Sequence, residues 1–179
     1  MKLKKIALPV LAVTALVIAG VAFSASGPNE QLASQNRVYG GGHFNTSDGT
    51  ARNFAVDAHT SGQTAFGDVE YAGPAHWSHE QVLCVTVVGN RATIGTVITS
   101  ADRPETIGLL TLFVLSDGGP PLSGTSDSST FHVSGPANDN PAWPAGFPKT
   151  CPTPDAAAQS FGLQDFALDG GDVVVQNAK

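Results

Sequence analysis

Two of the five histidines fall in His76-Trp77-Ser78-His79-Glu80, the one stretch that sets two imidazoles and a carboxylate within five residues. Zinc enzymes of the HExxH type place both imidazoles on one helical face, whereas the order here is HxxHE in extended surroundings. Residues three apart on a strand point to opposite faces, so a shared metal requires a turn at Trp77-Ser78; the alternative is a solvated loop. Hard cations take several loop oxygens, which makes Asp117 with Asp127, or Asp165, Asp169 and Asp172, candidates for calcium. EF-hand spacing is absent, and aspartate beside glycine ordinarily forms turns. Asp68 and Glu70 share a strand face, roughly 7 Å apart, a separation open to glycoside hydrolysis and equally ordinary for a solvent face. There is no G-x-S-x-G, and no serine, histidine and aspartate in a recognisable nucleophile context. Trp77, Trp143, Tyr39 and Tyr71 are candidates for an aromatic platform for a sugar or protein, or for core. No residue is assigned a catalytic, cofactor-binding or metal-binding role. A binding or structural role is expected, with a secreted hydrolase or a calcium-binding module as the alternatives.

These side chains must be held by strands, and the clearest element is Val82 to Thr99. Two runs rich in Val, Ile and Thr flank Gly89-Asn90, a pair suited to a two-residue hairpin turn. With that turn, Val88 faces Arg91, Val87 Ala92, Val85 Ile94, Cys84 Gly95 and Leu83 Thr96. Leu83, Val85, Val87, Ala92, Ile94 and Ile98 then form the core face. Cys84, Thr86, Arg91, Thr93 and Gly95 lie outside, with room above Gly95 for another piece of chain.

The N-terminus reads as an export signal, residues 1–24: Lys2, Lys4 and Lys5 precede an apolar run from Ile6 to Phe23, and small residues follow. Cleavage is expected after Ser24. The run is just long enough to span a bilayer, so an uncleaved membrane anchor is the alternative. Without the leader's three lysines, six basic residues stand against fifteen acidic ones, a net charge of −9. Such a chain is a poor fit to nucleic acid or anionic membrane surfaces, both of which reward clustered Lys and Arg. A cell-surface, glycan or protein ligand is the expected kind of partner.

An exported chain with only Cys84 and Cys151 most simply pairs them. Cys151 belongs to the proline-dense stretch Asn140 to Pro154, which cannot enter a central ladder and must cross a surface. The expected bond pins this stretch over the outer face of the hairpin, with Trp143 or Phe147 covering apolar side chains.

Residues 25–36 read as a linker and residues 37–178 as one domain. Strands are expected at Arg37–Phe44, Arg52–Thr60, Gln63–Tyr71, the two arms of the hairpin, Glu105–Ser116, Thr125–Ser134, Phe161–Leu168 and Asp172–Gln176. A loop is expected at Gly73–Ser78, and a hairpin turn at Asp169-Gly170-Gly171. Leu109 to Leu115 is apolar on both faces and needs an outer cover, for which the proline stretch is the natural candidate. Frequent glycine and proline with no amphipathic helical period make the class all-β, an antiparallel β-sandwich or flattened barrel of eight or nine strands behind an N-terminal signal helix.

Gly40-Gly41-Gly42-His43-Phe44, Phe54 to His59, Gly67 to Tyr71, Leu83 to Asn90, Val114 to Gly119, Cys151-Pro152 and Gly171 to Val175, in that order, resemble a family of small secreted bacterial proteins of unknown function. The resemblance covers Arg37 to Ala178 and implies export and a compact β domain. It implies no activity.

Overall fold

The alternating runs from Arg37 onward pair into one continuous antiparallel sheet in the computed structural model, which describes residues 35–119, 125–130, 132–136, 143 and 146–178. The signal helix expected over residues 1–24, and most of the linker, lie outside the described residues. The strands are β1 (Arg37–Asn45), β2 (Ala51–Ser61), β3 (Thr64–Gly73), β4 (His76–Val88), β5 (Arg91–Ala101), β6 (Leu110–Ser116), β7 (Ser128–Thr130), β8 (Val133–Gly135), β9 (Asp165–Ala167) and β10 (Gly170–Gln176). Their order is β10-β1-β2-β3-β4-β5-β6-β7-β9, and β8 also pairs with β6.

The chain is mostly β, as expected, and of the two expected forms the barrel is the nearer, since the sheet curls into a half-barrel instead of splitting into a sandwich. Strands β1 to β6 each pair with their successor. Among the described residues all ten strands belong to this one sheet, and twist wraps it around its own apolar face. Val38, Phe44, Phe54, Val56, Val69 and Phe113 are among the buried side chains inside the curl.

The hairpin turns at Gly89, whose φ of 62° is open to glycine. Asn90 takes no positive φ; its side-chain amide donates to the Asp117 carbonyl at 2.6 Å. The expected register holds from Val88–Arg91 to Cys84–Gly95 and then breaks. Leu83 is bulged, so Val82, not Leu83, faces Thr96 and enters the core. Strand β4 also starts earlier than expected, because His76–Gln81 continues the ladder against β3 where a loop was expected.

Cys84 and Cys151 form the expected disulfide, with Cα atoms 5.4 Å apart. Closing a span of 67 residues stabilises the fold by about 4 kcal/mol on the chain-entropy view. A Cβ on Gly95 would lie 2.5 Å from the Phe147 ring and 2.7 Å from Cys84 Sγ, so this glycine is the space into which the covering segment fits. Trp143, Phe147, Phe161 and Leu163 pack with Ala157 over Leu112 and Val114, which gives β6 its outer cover.

Part of that cover is a helix the sequence reading did not expect, α1 (Pro154–Phe161). The Thr153 hydroxyl accepts from the Ala156 amide, Pro154 opens the first turn, and Gly162 ends the helix at φ 60°. The strand expected at Phe161–Leu168 shrinks accordingly to β9.

The expected Asp169-Gly170-Gly171 hairpin is also absent, since β9 pairs with β7 and β10 with β1. These two strands are the opposite edges of the sheet, so their short connection draws the edges together. Phe44 of β1 stacks on Phe166 of β9 across this seam at 5.6 Å. Two carboxylates stand in for a neighbouring strand beside β10: Asp127 accepts from the Val173 amide at 2.6 Å, and Asp117 from the Val175 amide at 3.1 Å.

Candidate functional site

Cross-strand register sets three rows on the outer face of β2, β3 and β4: Asn53–Ala72–Trp77, Ala55–Glu70–His79 and Asp57–Asp68–Gln81. The small side chains in the first two rows leave a hollow between larger ones. A depression of about 420 Å³ is lined there by Asn53, Ala55, Glu70, Ala72, Trp77 and His79. Ala55 and Ala72 make its apolar floor, Trp77 is 46% exposed as its wall, and an amide, a carboxylate and an imidazole surround it. Its size lies in the range of small-molecule sites.

Asp68 and Glu70 share this face, as expected, and one imidazole serves both. His79 Nε2 is 3.4 Å from Asp68 Oδ1, and its Nδ1 is 3.8 Å from Glu70 Oε1. Both carboxylates are mostly exposed, so the pairs contribute little to stability.

The HxxHE residues separate. His76 Nδ1 lies 2.7 Å from Asp102 Oδ1. The Trp77 amide donated to that carboxylate, followed by His76 and the Arg103 charge, holds Asp102 below the usual carboxylate range. His79 faces outward, while Glu80 is 1% exposed inside the half-barrel. Four of the five possible calcium ligands, all but Asp172, are likewise engaged otherwise. Asp117 and Asp127 accept from backbone amides, Asp165 contacts Arg91 at 3.3 Å, and Asp169 accepts from the Asn45 amide at 2.7 Å. Among the described residues, no group of three or more His, Cys, Asp or Glu side chains is disposed to hold a metal ion.

The four aromatic candidates do not share one platform. Tyr71 is buried, Trp143 stacks on Phe147 at 4.7 Å, and Tyr39 lies under the Arg37 guanidinium at 4.7 Å. Only Trp77 of the four reaches the groove with its side chain on the outer face, because its parity on β4 is opposite to that of the inward Ser78 and Glu80.

The sequence reading missed the polar group inside the curl. Ser78 and Thr111 donate to Glu80 at 2.8 and 2.7 Å, Thr96 donates to the same carboxylate, and His132 Nδ1 lies 3.6 Å away. His132 is sandwiched between Tyr71 and Phe113, with ring centroids 4.2 and 4.1 Å apart. Burial alone would raise the Glu80 carboxyl, but His132 and the hydroxyls of Thr96 and Thr111 bring it down to about 2. Burial pushes the Tyr71 phenol up to about 12. This cluster is enclosed, and it serves the core rather than a ligand.

Comparison with protein-family models, curated proteins and solved structures returns no match. Among the described residues, no helix is long and apolar enough to cross a membrane.

Proposed function

We propose that the protein is an exported, non-catalytic binding module that holds a saccharide in the groove over β2, β3 and β4. The observation that carries this reading is the half-exposed Trp77 beside an alanine floor, with Asn53, Glu70 and His79 at the rim. An indole face matches the apolar C–H face of a sugar ring, and the rim groups match its hydroxyls. The lysine-rich leader and the disulfide support export. The resemblance to small secreted bacterial proteins belongs to this proposal on the same footing.

Trp143 and Trp77 are the only tryptophans, so a Trp143→Phe variant makes Trp77 the sole indole reporter. Saturable change in Trp77 fluorescence with saccharides, and loss of calorimetric saccharide binding in Trp77→Ala while the fold persists, are the expected results. A glycan panel that leaves Trp77 emission unchanged throughout would overturn the reading. N-terminal sequencing of the exported protein tests the leader, and a start at Met1 would overturn cleavage.

A further inference from the structure

Resting on that saccharide reading, we infer that the groove selects a sugar bearing a protonated amine. Trp77 faces Ala72, and Glu70 is two residues further along β3, which makes Trp77 and Glu70 diagonal neighbours on one face. Such neighbours have backbones roughly 7 to 8 Å apart, and both side chains are long enough to reach toward the space between. A cationic group seated there meets the negative face of an indole and a carboxylate together. The Glu70 side chain is 74% exposed, and His79 Nδ1 approaches it at 3.8 Å. Among the described residues the groove lining contains no Arg or Lys.

Further carboxylates lie on the face beside the groove. Asp68 lies two residues from Glu70 on the outer face of β3, Asp57 faces Asp68 from β2, and Arg37 contacts Asp57 at 3.4 Å. The whole chain carries a net charge of −6, which draws cations toward the surface. A neutral sugar would set its ring on the indole and its hydroxyls against the rim groups but bring no charge to the Glu70 carboxylate. A glucosamine unit uses all of them, its ring on Trp77 and its ammonium at Glu70.

The test compares binding of glucosamine, N-acetylglucosamine and glucose trimers to the full chain by calorimetry at pH 6. The glucosamine trimer should bind about tenfold more tightly than the other two, with an advantage that shrinks as salt rises. Glu70→Gln should erase that advantage, so that the three trimers bind with like affinity, and Trp77→Ala should weaken all three. Equal binding of the three sugars overturns amine selection and leaves the saccharide reading standing. Binding of none overturns both. Trilysine bound as tightly as the glucosamine trimer would also overturn the inference, because the sugar ring would then contribute nothing.

Discussion

Acidification from pH 5 to 2 should remove roughly 3 kcal/mol of folding stability through one side chain, Glu80. Its carboxyl titrates near 2 in the fold against an ordinary 4.5, and at 1.36 kcal/mol per pH unit that fall corresponds to roughly 3 kcal/mol. Burial works against the charge here, so the whole gain comes from His132 and from the Thr96 and Thr111 hydroxyls. Because the folded value is depressed, the stabilisation is complete above about pH 4.5 and drains away as the pH falls toward 2. Urea denaturation of the native protein and Glu80→Gln from pH 6 to pH 2 reads this directly. The variant should be less stable at pH 6, and the two profiles should converge near pH 2. Asp48, which the Thr46 and Thr50 hydroxyls bring down to about 2, is common to both proteins and cancels in the difference. Removing the imidazole with His132→Phe should move the acid transition upward in pH. A stability difference between the native protein and Glu80→Gln that stays constant over the whole range would refute the electrostatic account.

Three further perturbations probe the fold. Gly95→Ala places a methyl against Phe147 and the disulfide; crowding of this kind costs about 1 to 3 kcal/mol, and unchanged urea stability would show that the cover yields freely. Asp127→Ala removes the acceptor for the Val173 and Gly118 amides. The expected loss is about 2 to 4 kcal/mol, accompanied by faster hydrogen exchange at Val173; unaltered exchange there would discount the carboxylate as an edge cap. Thr93 is fully buried, and its hydroxyl has no hydrogen-bond partner among the described residues. Thr93→Val should therefore stabilise the fold by about 1 kcal/mol, and a lowered melting temperature would count against that orphan hydroxyl.

Local chemistry made the strands, the disulfide and its glycine seat legible, since alternation, turn residues and cysteine count all act over short spans. The partner of each edge strand was not legible in the same way. Asp169-Gly170-Gly171 has hairpin chemistry, yet β9 and β10 are drawn to opposite ends of the sheet by β7 and β1. Thr153-Pro154 and Gly162 did carry a helix signal, a cap with proline at the first turn and glycine at the end. The surrounding prolines and the shortness of the element hid it.

The groove depends on a single residue that no alternation rule anticipates. Below the turn, Val85 and Val87 pack against the core, and strict alternation back along β4 from them would send Leu83, Gln81, His79 and Trp77 inward and Glu80 outward. The bulge at Leu83 reverses that parity. Val82, Glu80 and Ser78 become the buried set, and Trp77 and His79 come out beside Ala72 and Glu70. Without the bulge, the indole would compete for core volume, and the carboxylate would lose the hydroxyls and imidazole that compensate its burial. The same inserted residue thus creates the outward row of Trp77 and His79 on one side of the sheet and the polar cluster on the other.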